Sequence, residues 1–530
     1  MKFLKGKKKP LFSINNNQPI PSSKDLLKQV KDRNQQTQLY SSLQKNLEEF
    51  KKAIGNSTDV TIRPFRIGHA RSMKAAVIFT DGLANETFIN DFIMEPLMND
   101  DQLKTTPYNL TEIKEQILTM ANVEDLCDFD KLYTSVLSGD TVILFDGFNQ
   151  GFVTDTKSWE SRNVAEPQTQ TVIRGPHEGF TETLRTNTAL IRRKIRDQNL
   201  WLESRQIGTR TKTDIAIMYI KGVANDKVVE EIHRRLDQIN IDGILESGYI
   251  EELIQDKTFT PFPTIFNSER PDTIAGGLLE GRVAIIVDGS PNVLLVPALF
   301  VQFLQTAEDY YHRTDFGLIR LLRYIALFIS LLAPSLYIAI TTFHQEMLQT
   351  SLLISIAAQR EGIPFPAFIE ALMMETTFEI LREAGIRMPR AIGPAISIVG
   401  ALVLGESAVA AGLVSPAMVI VVSITAISGF ILPSFSMGIP IRILRFGLMA
   451  LAASFGLFGI IVGLIAIVLH LCSLRSFGVP YMSPVAPMNL SDQKDTILRF
   501  PLWAMRSRPR LISQLDTVRE QTPKPEPPKK

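Results

Sequence analysis

Long runs without charged residues dominate the second half of this chain. Tyr324–Phe343 and Phe446–Leu474 contain no Asp, Glu, Lys or Arg, and Ala391–Ile441 contains only one such residue, Glu406. A helix needs about 20 mostly apolar residues to cross roughly 30 Å of hydrocarbon. Two of these runs are long enough to cross once, and the third is long enough to cross twice. The sequence therefore predicts an integral membrane protein.

The apolar runs predict an all-α bundle with four or more crossings. The four expected crossings are Ile319–Thr341, Ala391–Gly412, Ser415–Phe435 and Phe446–Cys472. Two shorter apolar segments, Pro291–Leu304 and Met347–Ala358, are too short to span as straight helices, so we expect them to be interfacial or re-entrant. The amphipathic stretch Pro364–Gly385 is expected to lie on the membrane surface or to pack against other helices. With four crossings and both termini on the cytoplasmic side, Arg442 and Arg445 fall on the outer side, against the usual bias of basic residues.

The region before the apolar runs has a different pattern, in which short β-rich runs each end in a turn. Four such runs are Ala75–Gly82, Thr141–Gly147, Ile215–Gly222 and Val283–Gly289. Continuous apolar runs that end in Asp-Gly or Lys-Gly are typical of buried central strands in α/β layers. We therefore predict an α/β domain made of two subdomains. No apolar core follows the basic start of the chain, so we expect this domain to stay on the cytoplasmic side.

These patterns divide the chain into five predicted parts. Residues 1–65 are expected to form a flexible basic arm, residues 66–165 and 166–290 the two α/β subdomains, residues 291–475 the membrane region and residues 476–530 a cytoplasmic tail. The arm is either a solvated lead-in or a segment attracted electrostatically to anionic lipid or an acidic partner.

The sequence contains none of the common motifs that would indicate an enzyme. The six histidines are scattered, and the chain contains no HExxH, CxxC, GxSxG or phosphate-binding loop. Asp81, Asp146 and Asp288 either are ligands at strand ends or belong to tight turns in which the following glycine adopts a positive φ. We therefore predict a non-enzymatic protein without catalytic residues, cofactor or metal.

Glu406 is the feature of the membrane region that most needs a physical explanation. It precedes Gly412 by six residues, which places it about 9 Å from that helix end at 1.5 Å per residue. A charge at such depth costs about 2.5–3.5 kcal/mol on insertion scales, so it is usually paired, protonated or facing water. Glu406 is either a protonated group that bonds a neighbouring helix or a carboxylate in a hydrated lumen, where a cyclic oligomer would form a ring of charges.

Two sets of residues surround Glu406 on its predicted helix. The expected pore or gate residues are Val399, Leu402, Val403, Glu406, Val409 and Ala410. Small residues at packing spacing, which let helix backbones approach closely, are Ser397, Ala401, Gly405, Ala408 and Gly412.

Several stretches in order resemble the A-subunit family of GerA-type spore germinant receptors. The most specific is "VIRGPHEGFTETLRTNTALIRRKI", at Val172–Ile195. Others are Ile241–Ile254, Glu269–Pro291, Glu308–Arg313, Glu370–Pro416 and Ser473–Pro487. The similarity covers residues from about 130 to 490 and leaves out the basic arm and the Pro-Lys end. A sporulation-stage paralogue branch shares the same architecture.

The resemblance implies a multi-pass protein of the inner membrane of endospores. In this family a transporter-like B subunit is thought to sense the germinant, a C subunit is a lipoprotein, and the A subunit is the oligomeric partner that conducts ions or relays the signal. We therefore expect a homo-oligomer in contact with membrane lipid and with the B and C subunits, and no nucleic-acid partner. The alternatives are a scaffold without a pore and a sporulation-stage paralogue that enhances germination.

Overall fold

The computed structural model describes ten ranges of the chain. They are residues 38–67, 73–99, 110–118, 120, 122–158, 166–167, 169–311, 316–387, 403–513 and 516–526. These residues form two five-stranded sheets with flanking helices, followed by a set of apolar helices and a tail that returns to the second sheet. The prediction of an N-terminal α/β region followed by helices is therefore confirmed.

The first sheet is antiparallel throughout and has the strand order β1-β2-β4-β5-β3. Its strands are β1 (Val60–Ile67), β2 (Met73–Thr80), β3 (Val123–Leu126), β4 (Thr141–Phe145) and β5 (Gly151–Thr154). Its helices are α1 (Leu43–Ala53), α2 (Glu86–Ile89), α3 (Glu95–Asn99), α4 (Leu110–Glu112) and α5 (Phe129–Ser138), with π-helical turns at Asn90–Met94 and Ile113–Ile117. Every side chain of β4 is buried, because helices cover both faces of the sheet.

The second sheet repeats this arrangement with the order β6-β7-β9-β10-β8. Its strands are β6 (Leu200–Ile207), β7 (Thr213–Ile220), β8 (Phe266–Ser268), β9 (Val283–Val287) and β10 (Val293–Val296). The accompanying helices are α6 (Leu184–Lys194), α7 (Asp226–Asp237), α8 (Ser247–Ile254) and α9 (Pro271–Leu279). The five strands again pair only in antiparallel fashion.

The recurring Asp-Gly turns have the same structural role in both subdomains. Oδ1 of Asp146 accepts a hydrogen bond from the first amide of α1, at Leu43, and Oδ1 of Asp288 accepts one from the first amide of α6, at Leu184; both distances are 3.0 Å. The glycines that follow, Gly147 and Gly289, have φ values of 91° and 84°, which side chains disfavour. The turns at Asp146 and Asp288 join neighbouring strands, β4 to β5 and β9 to β10, and their carboxylates bind the backbone amides at the starts of α1 and α6.

The two subdomains meet at a buried ion pair. Arg192 of α6 donates to both carboxylate oxygens of Asp59, at 2.7 and 3.0 Å, and each side chain is only 1% exposed. Trp201 lies over Gly55, where an added Cβ would come within 2.1 Å of the indole. The bidentate pair of Arg192 and Asp59 fixes the orientation of one subdomain on the other.

Two predicted boundaries need correction. Helix α1 and most of β1 lie inside the predicted arm, because Leu43 and Phe50 of α1 pack onto the first sheet. The segment Pro291–Leu304, expected at a membrane interface, contains β10 and a 3-10 turn at Phe300–Leu304. Its apolar residues are buried in the second sheet, which explains their composition equally well.

The second half of the chain is helical. Its helices are α10 (Glu308–Tyr311), α11 (Phe316–Thr342), α12 (Thr350–Arg360), α13 (Ala367–Arg387), α14 (residues 403–410), α15 (Pro416–Phe430) and α16 (Phe435–Ser473), with a 3-10 turn at Gln345–Met347. Among the described residues, two helical segments are long and apolar enough to cross a membrane, namely Gly317–Thr342 and Phe435–Ser473. The amphipathic stretch Pro364–Gly385 corresponds to α13, which packs against α11, α15 and α16. This agrees with the prediction that the stretch packs against other helices.

Helix α16 is broken at Gly456, whose φ of 60° and ψ of −140° are not helical. A Cβ added to Gly463 would lie 2.5 Å from Cδ2 of Leu448, and one added to Gly459 would lie 2.3 Å from the carbonyl oxygen of Leu451. Residues 15 positions apart on a straight helix would be separated by about 22 Å. The segments 435–455 and 457–473 therefore fold back on each other as an antiparallel pair.

The helices share two ends, which we name by their distance from the α/β region. At the proximal end, Arg323 of α11 binds Asp309, and His470 of α16 lies 2.9 Å from Thr260 in the second subdomain. At the distal end, His344 approaches Gly456, and the Tyr337 hydroxyl lies 3.3 Å from that of Ser415. Helix α11 therefore runs from the proximal to the distal end, and α15 runs back to the proximal end. The first segment of α16, 435–455, again runs to the distal end, and the second, 457–473, returns.

Candidate functional site

Glu406 lies on α14 near the distal end. Its side chain is exposed, and it forms no hydrogen bond or ion pair with any residue in the described part of the chain. The helix ends at Gly412, which has a φ of 67°. The amide of Gly412 donates to Val409 and that of Leu413 donates to Ala408, both at 3.0 Å. This glycine-terminated turn fixes where α14 stops, within two turns after Glu406.

The other predicted residues of this helix are distributed over its two faces. Gly405 is buried, and an added Cβ would lie 3.6 Å from Cγ1 of Val419 on α15. Val403 is 52% exposed and Ala410 is also exposed, while Ala408, Val409 and Gly412 are half-buried. The predicted residues Ser397, Val399, Ala401 and Leu402 lie outside the described residues. The assignment of a pore face and a packing face therefore stays a prediction.

Helix α13 carries a group of carboxylates that are buried and paired, in contrast to Glu406. Glu375 is fully buried, and its Oε2 lies 2.8 Å from Nη1 of Arg445, which is 1% exposed. One turn further along, Glu379 accepts hydrogen bonds from Arg442 at 3.0 Å and from Arg445 and Arg382 at 3.2 Å. We call these residues of α13 and α16 the charge cluster.

The charge cluster corrects the predicted position of two arginines. Arg442 and Arg445 were expected in an outer loop, but they lie inside the first half of α16, which begins at the proximal end. The guanidinium of Arg382, which binds Glu379, lies 5.2 Å from the ring of Phe430 at that same end. The arginines therefore neutralise carboxylates within the helix bundle and do not mark a loop.

The charge cluster was missed in the sequence although a signal was present. Glu375 and Glu379 are four residues apart, and Arg442 and Arg445 are three apart, so each pair lies on one face of its helix. Opposite charges on two apolar helices are the expected partners of each other, since an unpaired charge in an apolar environment is costly. The spacing alone does not say which helices are neighbours.

A third carboxylate of α13 holds the start of α15. Glu370 is fully buried, and its Oε1 accepts hydrogen bonds from the backbone amide of Ser415, at 2.6 Å, and from the Ser415 hydroxyl. Arg360 lies 3.9 Å from the other oxygen. Since Ser415 directly follows the turn at Gly412, these contacts tie the distal end of α14 to α13.

A second buried network lies at the proximal end. Asp309 is fully buried and receives hydrogen bonds at 2.9 Å from Arg320 and Arg323 of α11. Arg320 also donates to Asp495 of the tail, at 2.7 Å. Burial acts to raise the pKa of Asp309, but Arg323 and Arg320 outweigh it, so the pKa of this carboxyl lies below its usual value. The network joins the α/β region, the first apolar helix and the tail.

The tail continues along the second subdomain. Its elements are β11 (Arg475–Ser476), β12 (Val479–Pro480) and two 3-10 turns at Asp492–Lys494 and Leu502–Ala504. The Ser476 hydroxyl donates to the carbonyl of Thr264 at 2.7 Å, and Arg508 donates to the carbonyl of Leu279 at 2.8 Å. The last apolar helix is thereby tied to the same sheet as the first.

In the described part of the chain, no group of three or more His, Cys, Asp or Glu side chains has a metal-binding arrangement.

Comparison with known proteins assigns the chain to a family. The family described as "Bacillus/Clostridium GerA spore germination protein" matches residues 48–511. Spore germination protein KA of Bacillus subtilis (strain 168) is 51% identical over 488 residues, which cover 92% of this chain and 90% of that protein.

Two further proteins resemble the chain. The membrane protein YfkQ of the same Bacillus subtilis strain is 43% identical, with 92% of this chain and 94% of YfkQ covered. A solved structure, the N-terminal domain of the A subunit of the Bacillus megaterium spore germinant receptor GerK3, is 44% identical and covers 51% of this chain and 99% of that one, with a TM-score of 0.41. The family match and the identity to its relatives show that this chain belongs to the GerA family of spore germination proteins.

Proposed function

We propose that this chain is the A subunit of a spore germinant receptor, and that several copies form a cation path in the membrane. The observation that supports this most strongly is the contrast between carboxylates. Glu370, Glu375 and Glu379 of α13 are bound within the protein, whereas Glu406 on α14 is exposed and has no partner among the described residues. An unpaired carboxylate among apolar helices requires water or a partner at its surface.

The proposed path lies on an axis surrounded by the α14 helices of neighbouring copies. Val403 and Ala410 are exposed near Glu406, so the described residues of one copy leave this surface of the helix uncovered. In a ring, the Glu406 side chains would line a shared lumen and favour cations over anions. The partners in this proposal are a transporter-like B subunit, which senses the germinant, and a lipoprotein C subunit.

The number of crossings in this proposal follows from the ends at which the helices begin and stop. Helix α11 runs toward the distal end, α15 returns, and the two segments of α16 go out and back. Helix α13 runs from the distal end, where Glu370 meets Ser415, toward Phe430. The proposal takes the crossing predicted from the sequence at Ala391–Gly412 as the segment that returns to the distal end. Six passes in alternating directions would leave the α/β region and the tail on the same, cytoplasmic side of the endospore inner membrane.

Reconstitution tests the proposal directly. The full chain, alone and together with its B and C subunits, is placed in liposomes loaded with potassium, and potassium efflux is measured before and after addition of germinant. We expect an oligomer in detergent by mass measurement and germinant-dependent efflux from the complex. A monomer without efflux, in complexes that still bind germinant, would instead favour a scaffold that only organises the other subunits.

A further inference from the structure

A cavity of about 550 Å³ lies where the second subdomain meets the proximal end of the helices. Its walls come from the segment 169–172, from β8 and α9, from residues 302–311 with α10, from Arg323 of α11, from the connection between α15 and α16 at residues 430–434, and from the tail. This volume is in the range of small-molecule sites in proteins. The cavity lining includes neither the Asp-Gly turns of the first subdomain nor any residue of the charge cluster.

The cavity wall carries one more cation than anions, with the arginines Arg270, Arg282, Arg323 and Arg519 and the carboxylates Asp272, Glu280 and Glu308. Arg270 is paired with Asp272, and Arg323 with Asp309 behind the wall. Arg282 is 4% exposed, and Glu280 is the carboxylate beside it, at 3.4 Å. Arg519 of the tail lies at the same distance from the other oxygen of Glu280. Two guanidinium groups therefore share one carboxylate, and both distances are longer than those of a strong charge-assisted hydrogen bond.

Arg282 is held in place with one nitrogen unused. Its Nε and Nη1 make hydrogen bonds to Glu280, to the carbonyl of Pro297 and to Oε1 of Gln302. Its Nη2 has no acceptor in the part of the chain that the structure describes. Burial lowers the pKa of the Arg282 guanidinium, and Glu280 offsets this only in part. A buried cation in this condition is stabilised by an additional anion.

We propose that this cavity binds a small organic oxyanion, with its phosphate or carboxylate group on Arg282 and Arg519. The remainder of the ligand would contact Phe266 and the apolar part of the α15–α16 connection, which also line the cavity. The oxyanion is either a soluble metabolite or the headgroup of an anionic lipid, since the cavity lies at the end of the apolar helices. Both sources present the same chemistry to the two arginines.

The position of the cavity gives the ligand a structural consequence. One wall belongs to the rigid second sheet through α9, and another belongs to the loop that joins two apolar helices. A ligand that contacts both walls favours the arrangement in which they are this close. The inference stands apart from the proposed cation path, because it requires only that the full chain binds the anion.

Gly276 provides a variant that fills the cavity without altering a charge. It lines the cavity, it has helical backbone, and an added Cβ would meet no atom within 4 Å. The neighbouring Gly277 faces the sheet instead, where a Cβ would lie 2.3 Å from Leu295. Gly276→Leu therefore projects into the cavity. Gly447→Leu is the matched control, since Gly447 on α16 also has open space and lies outside the cavity.

The experiment measures binding to the purified full chain in detergent by titration calorimetry, with inorganic phosphate, glycerol 3-phosphate and citrate as probes. A parallel measurement uses nanodiscs of phosphatidylglycerol or phosphatidylcholine and native mass spectrometry to count retained lipid. We expect saturable binding of a soluble probe, or selective retention of phosphatidylglycerol. Gly276→Leu and Arg282→Gln should each weaken binding by about tenfold or more, Arg519→Gln by less, and Gly447→Leu should have no effect.

The pattern of variants decides the outcome. Soluble-probe binding that Gly276→Leu abolishes supports a metabolite site, and phosphatidylglycerol retention that the same variant abolishes supports a lipid site. Circular dichroism and melting temperature of Gly276→Leu establish that this variant is folded, even where Arg282→Gln is not. Absence of binding in both measurements, or binding that Gly276→Leu leaves unchanged, would overturn the proposal.

Discussion

Helices α13 and α14 both carry carboxylates among apolar residues, but the protein treats them in opposite ways. On α13, Glu375 and Glu379 form ion pairs with arginines of α16, and these ion pairs hold α13 against α16. On α14, Glu406 is exposed and has no partner in the described structure. A charge in an apolar segment therefore has two physical solutions, namely an internal counterion or a surface that water or another chain completes.

The largest expected effect comes from breaking the charge cluster. Arg445→Met leaves Glu375 fully buried without its counterion, which costs about 3–5 kcal/mol in the free energy of unfolding. Chemical denaturation of the full chain in detergent measures this loss. The double variant Glu375→Met/Arg445→Met should recover most of it, because two apolar side chains need no counterion. A single variant as stable as the unmodified chain would show that the pair does not hold the helices.

The proximal network should be the next most sensitive. Asp309→Asn removes the carboxylate shared by Arg320 and Arg323 and should cost about 2–3 kcal/mol, less than the first variant because Arg320 keeps Asp495. Denaturation at neutral pH measures the change, with Glu361→Gln, which alters an exposed carboxylate, as control.

The pH dependence of this network has a definite sign. Because the pKa of Asp309 is lowered in the folded state, its contribution is fully present above the ordinary carboxyl range and is lost as the pH falls through the folded pKa. The unmodified chain should therefore lose stability on acidification more steeply than Asp309→Asn. Parallel pH profiles of the two proteins would contradict the assignment.

The end of α14 should respond more weakly. Gly412 has a φ of 67°, so Gly412→Ala forces a side chain into a left-handed conformation at a cost of about 1–2 kcal/mol. Gly438→Ala is the control, since Gly438 lies in helical backbone with open space around its Cα. A melting temperature that falls equally in both variants would contradict the requirement for glycine in the turn that ends α14.

The smallest effect is expected where a charged pair is exposed. Arg387 binds Glu383 one turn away on α13, and their side chains are 78% and 60% exposed. Exposed pairs contribute little, because water screens them and both side chains lose conformational freedom. Arg387→Gln should leave the melting temperature unchanged within error, and a clear decrease would show that exposure is a poor guide to the charges of this helix.

Much of the α/β region could be predicted from local patterns. The four apolar runs ending in Asp-Gly or Lys-Gly correspond to β2, β4, β7 and β9, which are the inner strands of the two sheets. The antiparallel pairing and the duplicated strand order depend on contacts between distant segments, which no local pattern encodes. Helix α1 was assigned to a flexible arm because its polar face dominates the composition, although Leu43 and Phe50 pack on the sheet.

The helical region was harder to predict for a related reason. The length of an apolar run indicates that the segment is buried or in lipid but does not distinguish the two, so the run that forms β10 predicts an interfacial segment equally well. Gly456 turns one long apolar run into two antiparallel segments, and nothing in the composition distinguishes it from Gly459 or Gly463. The charges of Arg442 and Arg445 could be placed only once α13 was known to lie beside α16.

The role of Glu406 is tested most directly by ion selectivity. The reconstituted receptor complex is compared with Glu406→Gln and with Glu361→Gln, which removes an exposed carboxylate from the loop after α12. If the Glu406 side chains line a cation path, Glu406→Gln should reduce germinant-dependent potassium efflux and cation-over-anion selectivity about tenfold without lowering the melting temperature, and Glu361→Gln should change neither. Unchanged efflux and selectivity in a folded Glu406→Gln complex would contradict the account.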